Sequence, residues 1–476
     1  MKPTHQALRN ARTIYDALYG FIPITEWEEK IINSPLFQRL RWVKQLSFAN
    51  YIFPGAEHNR FAHSIGVMHS MEAMLQSTGL SVADHELFNP RAKSAPVMLH
   101  KSMRIAALLH DIGTFPFSHA VEKAYLRRGA QKGEVRHTKD GKDKPLKDLP
   151  NSHEHLGSFI IKNTRYEGGL TRILEDYGFD IQLISRIIKG DCPHLFANQM
   201  VHSDLDADRM DYLMRDAHYT GLKYGQFDRD YILANLVTFE TKNGQTGFGV
   251  RENAALAVED FLIARFSWYS QVVRNPASAK FDVISTHLTD AFLDAKLMYT
   301  FNDLLEFVER GDERFFWWSD LSFITRCQEI RLKTLIKDPR IQQLNEMLLY
   351  RKPPKTLHLP LLDHRLLKTT RNGRKERDEL QTKIQRKLAE FETALKKSRK
   401  PNAWLLVDIP EHGVSFTRGR GLDAVQVVSK SGEVRALVDR PNAILHNLAD
   451  IEHFAPNVYA NDVAHGVLLE KGLVRS

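Results

Sequence analysis

Apolar residues recur at three- and four-residue steps along most of the chain, so helices are expected to dominate up to about residue 350. Residues 34–46 set apolar positions against Arg39, Arg41 and Lys44 at helical spacing. Residues 61–75 bring His63, Val67 and Met71 to one side. Residues 103–112 are almost wholly apolar and read as a buried helix; Gly113 and Pro116 end it, and 117–125 begins another. Residues 204–216 and 254–273 continue the pattern. Leu380, Ile384, Leu388, Phe391 and Leu395 form one apolar stripe on a very basic helix. Beyond Pro401 the period shortens to two. Val425 and Val427, then Lys430-Ser431-Gly432, then Val434, Ala436 and Val438 predict a hairpin, and Pro441 is expected to open a short final helix.

The expected fold is therefore mainly α. A helical body spans 1–350, a basic helical connector 351–400, and a small α/β lobe 401–476, with no internal repeat. Residues 129–151 are crowded with Lys, Asp and Gly and have no apolar period. They read as a solvated loop, placed between two candidate site segments where a lid would sit.

Composition narrows the class. With 43% hydrophobic and 26% charged residues the chain is expected to be a soluble globular protein. Neither a signal-like start nor a bilayer-length apolar run is found, so a cytoplasmic protein without a membrane partner is expected. Two cysteines, Cys192 and Cys327, exclude a disulfide framework. The net charge of +8 favours nucleotides or other polyanions and leaves nucleic acid open as a partner.

Four short stretches carry candidate chemistry: 59–63 with His63, His110-Asp111, 152–154 with His153, and Asp208-Arg209. A carboxylate at the end of an apolar helix needs a partner, and a divalent cation is one that the neighbouring imidazole can share. His63, His110, Asp111 and Asp208 would neutralise a 2+ ion and leave positions open for water and substrate. Each residue alone reads as an ordinary core histidine or helix cap; the four together do not. Lacking a thiolate, the set leaves Fe, Mn, Co, Ni and Zn open, with Mg accompanying phosphates. His119 and Glu122 share a helix face, a pairing that activates an imidazole, and His153 is a second candidate for proton transfer. Asp208, Tyr212 and Asp216 lie on one helix face along which a nucleotide could rest. Arg60, Arg209 and Arg265 could bind its phosphates.

These residues resemble the HD-domain phosphohydrolases, and more narrowly the deoxynucleoside triphosphate triphosphohydrolases of the SAMHD1-like branch. The resemblance runs through 37–41, Lys44-Gln45-Leu46, 53–56, 58–64, 109–113, 116–119, His153-Glu154 and 205–212. It implies a helical HD-domain core with metal on His63, His110, Asp111 and Asp208. It implies water attack on the α-phosphorus, with release of deoxynucleoside and inorganic triphosphate. His119, Glu122 and His153 match the catalytic set. Gln45 and Asp216 match positions that hold the sugar 3′-hydroxyl, and Leu46 matches a sugar-packing position. Arg60, Arg209, Tyr212 and Arg265 match phosphate and sugar contacts. Homo-oligomers are common in that branch. Thr114, Val273 and the Asn275-Pro276 pair depart from its pattern, and Val273 removes an aromatic wall against the sugar.

The leading expectation is a metal-dependent triphosphohydrolase acting on dNTPs. A nuclease or phosphodiesterase acting on single-stranded nucleic acid or a signalling nucleotide comes second. A non-catalytic nucleotide sensor or scaffold comes third.

Overall fold

A computed structural model describes residues 12–131, 151–410, 413–417 and 421–475; most of the candidate lid, 132–150, lies outside them. The protein is mainly α with small sheets, those of the C-terminal region included, as the periodicity predicts. At its centre the helix Arg60–Thr78 packs against Ala95–Leu109 and Ala207–Thr220. Local signals set the ends of these helices. Asn59 and Asp206 accept backbone N–H groups as N-caps, and Gly79 and Gly221 stop the helices at φ of 72° and 73°. Ile65, Met68, Met71, Leu108, Met210 and Leu213 fill the contact. The apolar helix Ala95–Leu109 also buries Arg104, which donates to Glu28 at 2.7 and 2.9 Å and to Glu72 at 2.9 Å, while His100 lies 2.7 Å from Glu72. Paired in this way, the charges can stay inside.

Several segments differ from the periodic reading. Residues 34–46 are a turn of helix, Pro35–Gln38, then a 3-10 turn, Arg39–Trp42, then extended chain in which Gln45 N–H meets His58 C=O at 3.0 Å. Two hairpins interrupt the helical region: Arg12–Asp16 with Gly20–Ile24, and Leu236–Glu240 with Thr246–Arg251. The helix expected over 254–273 is Ala255–Trp268 followed by a π turn, Tyr269–Val273. That wider turn sends Tyr269 toward Tyr212 and Ser270 toward His453.

The C-terminal hairpin, Gln426–Val428 with Val434–Ala436, forms where alternation predicts it. It pairs in parallel with Thr246–Arg251, so it extends a sheet of the helical body. Pro441 opens no helix; Ile444–Asn447 is a 3-10 turn, and the final helix is Asp462–Glu470, capped by Asn461. Strands Ile451–Phe454 and Asn457–Ala460 occupy the intervening chain, pairing with Arg365–Lys368 and Leu405–Asp408. The basic helix is Arg371–Ser398, and its whole apolar stripe is buried against Phe454, Val458, Val467 and Leu468.

Candidate metal centre and catalytic site

The His-Asp pair sits where the apolar Ala95–Leu109 helix ends. His110 Nδ1 lies 2.8 Å from the Ala107 carbonyl, which can only accept, so Nδ1 carries the proton and Nε2 offers a lone pair. His63 is fixed in the same way. Its Nδ1–H donates to Asp211 Oδ2 at 2.8 Å, turning Nε2 toward His110. Both Nε2 atoms are buried without a hydrogen-bond partner among the described residues. Two carboxylate oxygens complete the cradle. Asp208 Oδ1 is 3.1 Å from His63 Nε2 and 3.7 Å from His110 Nε2, and Asp111 Oδ2 is 3.7 and 3.5 Å from the same atoms. A metal with bonds of about 2.1 Å spaces neighbouring donors about 3.0–3.4 Å apart, so a modest contraction seats an ion. Two inward imidazole lone pairs and two acids fit a divalent cation.

Electrostatics agree with the geometry. Burial works against the Asp111 charge, but Arg60, His110 and His63 hold its carboxyl well below the usual range. Burial also pulls His63 down, yet Asp208 and Asp211 push it up to about 9. The spot calls for a cation, either a proton or a metal ion. Asp208 is 41% exposed and marks the open side. Arg60 donates to Asp111 Oδ2 at 2.5 Å and to Ser118 Oγ at 3.0 Å.

Beside this cradle, Glu122 gathers His119 and His153. Its oxygens lie 2.9 Å from His119 Nδ1 and 2.7 Å from His153 Nδ1, and one also accepts the His153 backbone N–H at 2.6 Å. Both rings therefore present Nε2 outward. Burial lowers His153, but Glu122, Glu154 and Asp111 raise it to about 9. Glu122 is buried and held far below its ordinary value by His153 and His119, against the cost of burial. His119 is 68% exposed and forms the rim. Gly113 permits this assembly: a Cβ there would overlap the His153 carbonyl and the Gly157 backbone.

The remaining sequence candidates are spread around the cradle. Gln45 contributes its carbonyl 3.5 Å from Arg60, and its buried Oε1 has no partner among the described residues. Leu46 is half-buried against the core. Tyr212, Tyr269, Arg209 and Arg265 cluster together. Arg209 is engaged by the Ser203 carbonyl and Asp206, and Arg265 donates to the Phe416 carbonyl at 3.2 Å; each keeps a buried Nε without a partner among the described residues. Asp216 accepts from His58 Nε2 at 2.6 Å. Thr114 is buried beside the Asp111 turn, and Asn275 caps the helix Pro276–Asp294.

Sequence reasoning assigned no role to Asp211, His58, Arg39 or Asp320. Buried Arg39 donates to the Ile112 carbonyl at 2.9 Å, just past the His-Asp pair. Asp320 accepts from Phe117 N–H at 2.6 Å and Lys44 N–H at 2.9 Å, tying together the loops that carry Ser118 and Gln45. Burial pushes its carboxyl up to about 7. Arg39, His58 and Asp211 lie in stretches that carry the resemblance, 37–41, 58–64 and 205–212, whereas Asp320 lies in none of them.

The HD domain family matches residues 60–216. An uncharacterized protein of Methanocaldococcus jannaschii is 32% identical over 265 residues, 56% of this chain and 46% of its own length. The deoxynucleoside triphosphate triphosphohydrolase SAMHD1 of Homo sapiens is 25% identical over 332 residues, 64% of this chain and 47% of its own length. The chain thus spans about half the length of these curated relatives. A phosphohydrolase crystal structure from Bacteroides thetaiotaomicron shares the fold, with a TM-score of 0.65 at 20% identity, covering 94% of this chain and 99% of that one. The cradle and the trio both draw their residues from 60–216, the segment that matches the HD domain, and the chain is similar there to proteins that include the SAMHD1 triphosphohydrolases.

Proposed function

We propose that this chain is a metal-dependent triphosphohydrolase that converts a dNTP to deoxynucleoside and inorganic triphosphate. The observation that carries the reading is the convergence of two buried, unpartnered imidazole nitrogens with two carboxylate oxygens beside a Glu-linked pair of outward imidazoles. A first-row divalent ion (Fe, Mn, Co, Ni or Zn) on His63, His110, Asp111 and Asp208 would polarise a phosphoryl oxygen and offset its charge, with Mg accompanying the phosphates. Arg60, Arg209 and Arg265 receive phosphate oxygens. Gln45 and Asp216 take the sugar hydroxyl, and Leu46 and Tyr212 pack beside it. Water attacks the α-phosphorus and the bond to the 5′-oxygen breaks. His119 accepts the water proton, and His153, protonated at neutral pH, gives its proton to the leaving oxygen. The same proposal makes the protein a cytoplasmic homo-oligomer; among the described residues no helix is long and apolar enough to cross a membrane.

The test is incubation with each dNTP and NTP plus Mn or Mg, with chromatography of the products. Triphosphate release is expected; stepwise loss of phosphate or pyrophosphate overturns the reading. The net charge of +8 and Val273, which is 38% exposed where the sugar wall is expected, favour a second reading. In it the chain is a nuclease or phosphodiesterase. Low-salt cleavage of a labelled oligonucleotide, lost in Asp208→Ala, would support that reading, because phosphate contacts are strongest at low salt.

A further inference from the structure

We infer that the N-terminal hairpin belongs to the metal centre, with Tyr19 acting through Asp211 as a positioning residue for His63. The inference rests on the proposed function only in taking His63 as a metal ligand. The hairpin, Arg12–Asp16 and Gly20–Ile24, lies outside residues 60–216, to which the HD domain matches. Its turn is set by Asp16, which accepts the Leu18 N–H at 2.9 Å and the Tyr19 N–H at 3.3 Å. The Tyr19 hydroxyl then donates to Asp211 Oδ1 at 2.9 Å, while Asp211 Oδ2 accepts from His63 Nδ1 at 2.8 Å. Arg215 grips both Asp211 oxygens at 2.9 Å and reaches back to Asp16 Oδ2 at 2.9 Å, closing the circuit onto the hairpin.

Asp211 is wholly buried and takes four donated bonds, so its plane has little freedom. That plane sets the His63 ring, which in turn sets where Nε2 points. Gly66, three residues after His63, is what lets this group press on the helix: a Cβ there would overlap Asp211 and Arg215. Burial and the Asp211 charge raise the Tyr19 hydroxyl far above its ordinary range, so it remains a neutral donor. Carboxylates that orient a ligating histidine typically change metal affinity by about 10–100-fold when removed.

The experiment uses the full chain and Mn(II) alone. Affinity is measured by chelator competition, and thermal midpoints are recorded with and without the ion. Tyr19→Phe is expected to bind Mn(II) about tenfold more weakly. Its metal-free midpoint should stay near wild type, so the gain in midpoint on adding Mn(II) shrinks. Tyr15→Phe, altering an exposed ring of the same hairpin, should bind as wild type does. Asp211→Asn should weaken binding further; should it fail to fold, Tyr19→Phe alone decides. Unchanged affinity in Tyr19→Phe, or an equal fall of both midpoints, overturns the inference. A wild-type chain that binds no divalent ion removes the metal reading itself, and this inference with it.

Discussion

Glu122 carries the most consequence for a single residue. By holding two imidazoles through Nδ1 it decides which nitrogens face the substrate, and its charge keeps His153 protonated at neutral pH. Under the proposed mechanism the rate of triphosphate release should therefore fall as pH rises through about 9, which a pH–rate profile checks. His153→Ala should lower kcat by about 10²–10⁴, the usual worth of a placed acid or base. The same pairing links stability to pH. His153 is raised in the folded state, so its contribution is full below about 6.5 and is lost as pH rises through about 9. Glu122 is depressed, so its contribution is present above about 4.5 and is lost as pH falls through its folded value. Glu122→Gln should thus lower the thermal midpoint most between about pH 4.5 and 6.5, the difference shrinking on the alkaline side as His153 deprotonates through about 9 and on the acid side only as Glu122 is protonated far below 4.5. Asp111→Asn removes a candidate ligand and also leaves Arg60 without its carboxylate. Metal content of the purified variant should drop to background by elemental analysis.

At the scale of elements, close approach matters more than helix propensity. The helix His153–Asn163 can bring His153 near the His-Asp turn only because Gly113 has no side chain, since a Cβ there would overlap the His153 carbonyl and the Gly157 backbone. Gly113→Ala should therefore depress kcat strongly while far-UV circular dichroism stays near wild type. The stripe of the Arg371–Ser398 helix behaves as periodicity requires: Ile384 is wholly enclosed in the core it shares with Phe454, Val458, Val467 and Leu468. Ile384→Ala should cost about 2–5 kcal/mol, read from chemical denaturation. The 34–46 segment is the opposite case. Its spacing is helical, but Arg39 is drawn inward to the Ile112 and Trp318 carbonyls and the chain leaves the helix to meet His58. Pairings between distant segments overrode local period there.

Across the whole molecule, the C-terminal residues do more than follow the body. Gln426–Val428 pairs with Thr246–Arg251, and Phe416 stacks on Phe266 at 3.8 Å while its carbonyl holds Arg265. Phe416→Ala should cost about 3–5 kcal/mol in unfolding and release Arg265, raising KM more than it changes kcat.

The residue types and spacing were enough to identify the helical body, the late hairpin, the buried stripe and a candidate set of four metal ligands, because period and functional groups are local properties. Which nitrogen of each histidine faces inward was not legible, since partners such as Ala107 and Asp211 fix it through folding. The bracing by Arg39 and Asp320 was hidden for the same reason: their partners lie 73 and 203 positions away along the chain. The two early hairpins and the parallel strand joining the tail to the body were decided by backbone pairing across long separations, which no window of sequence encodes.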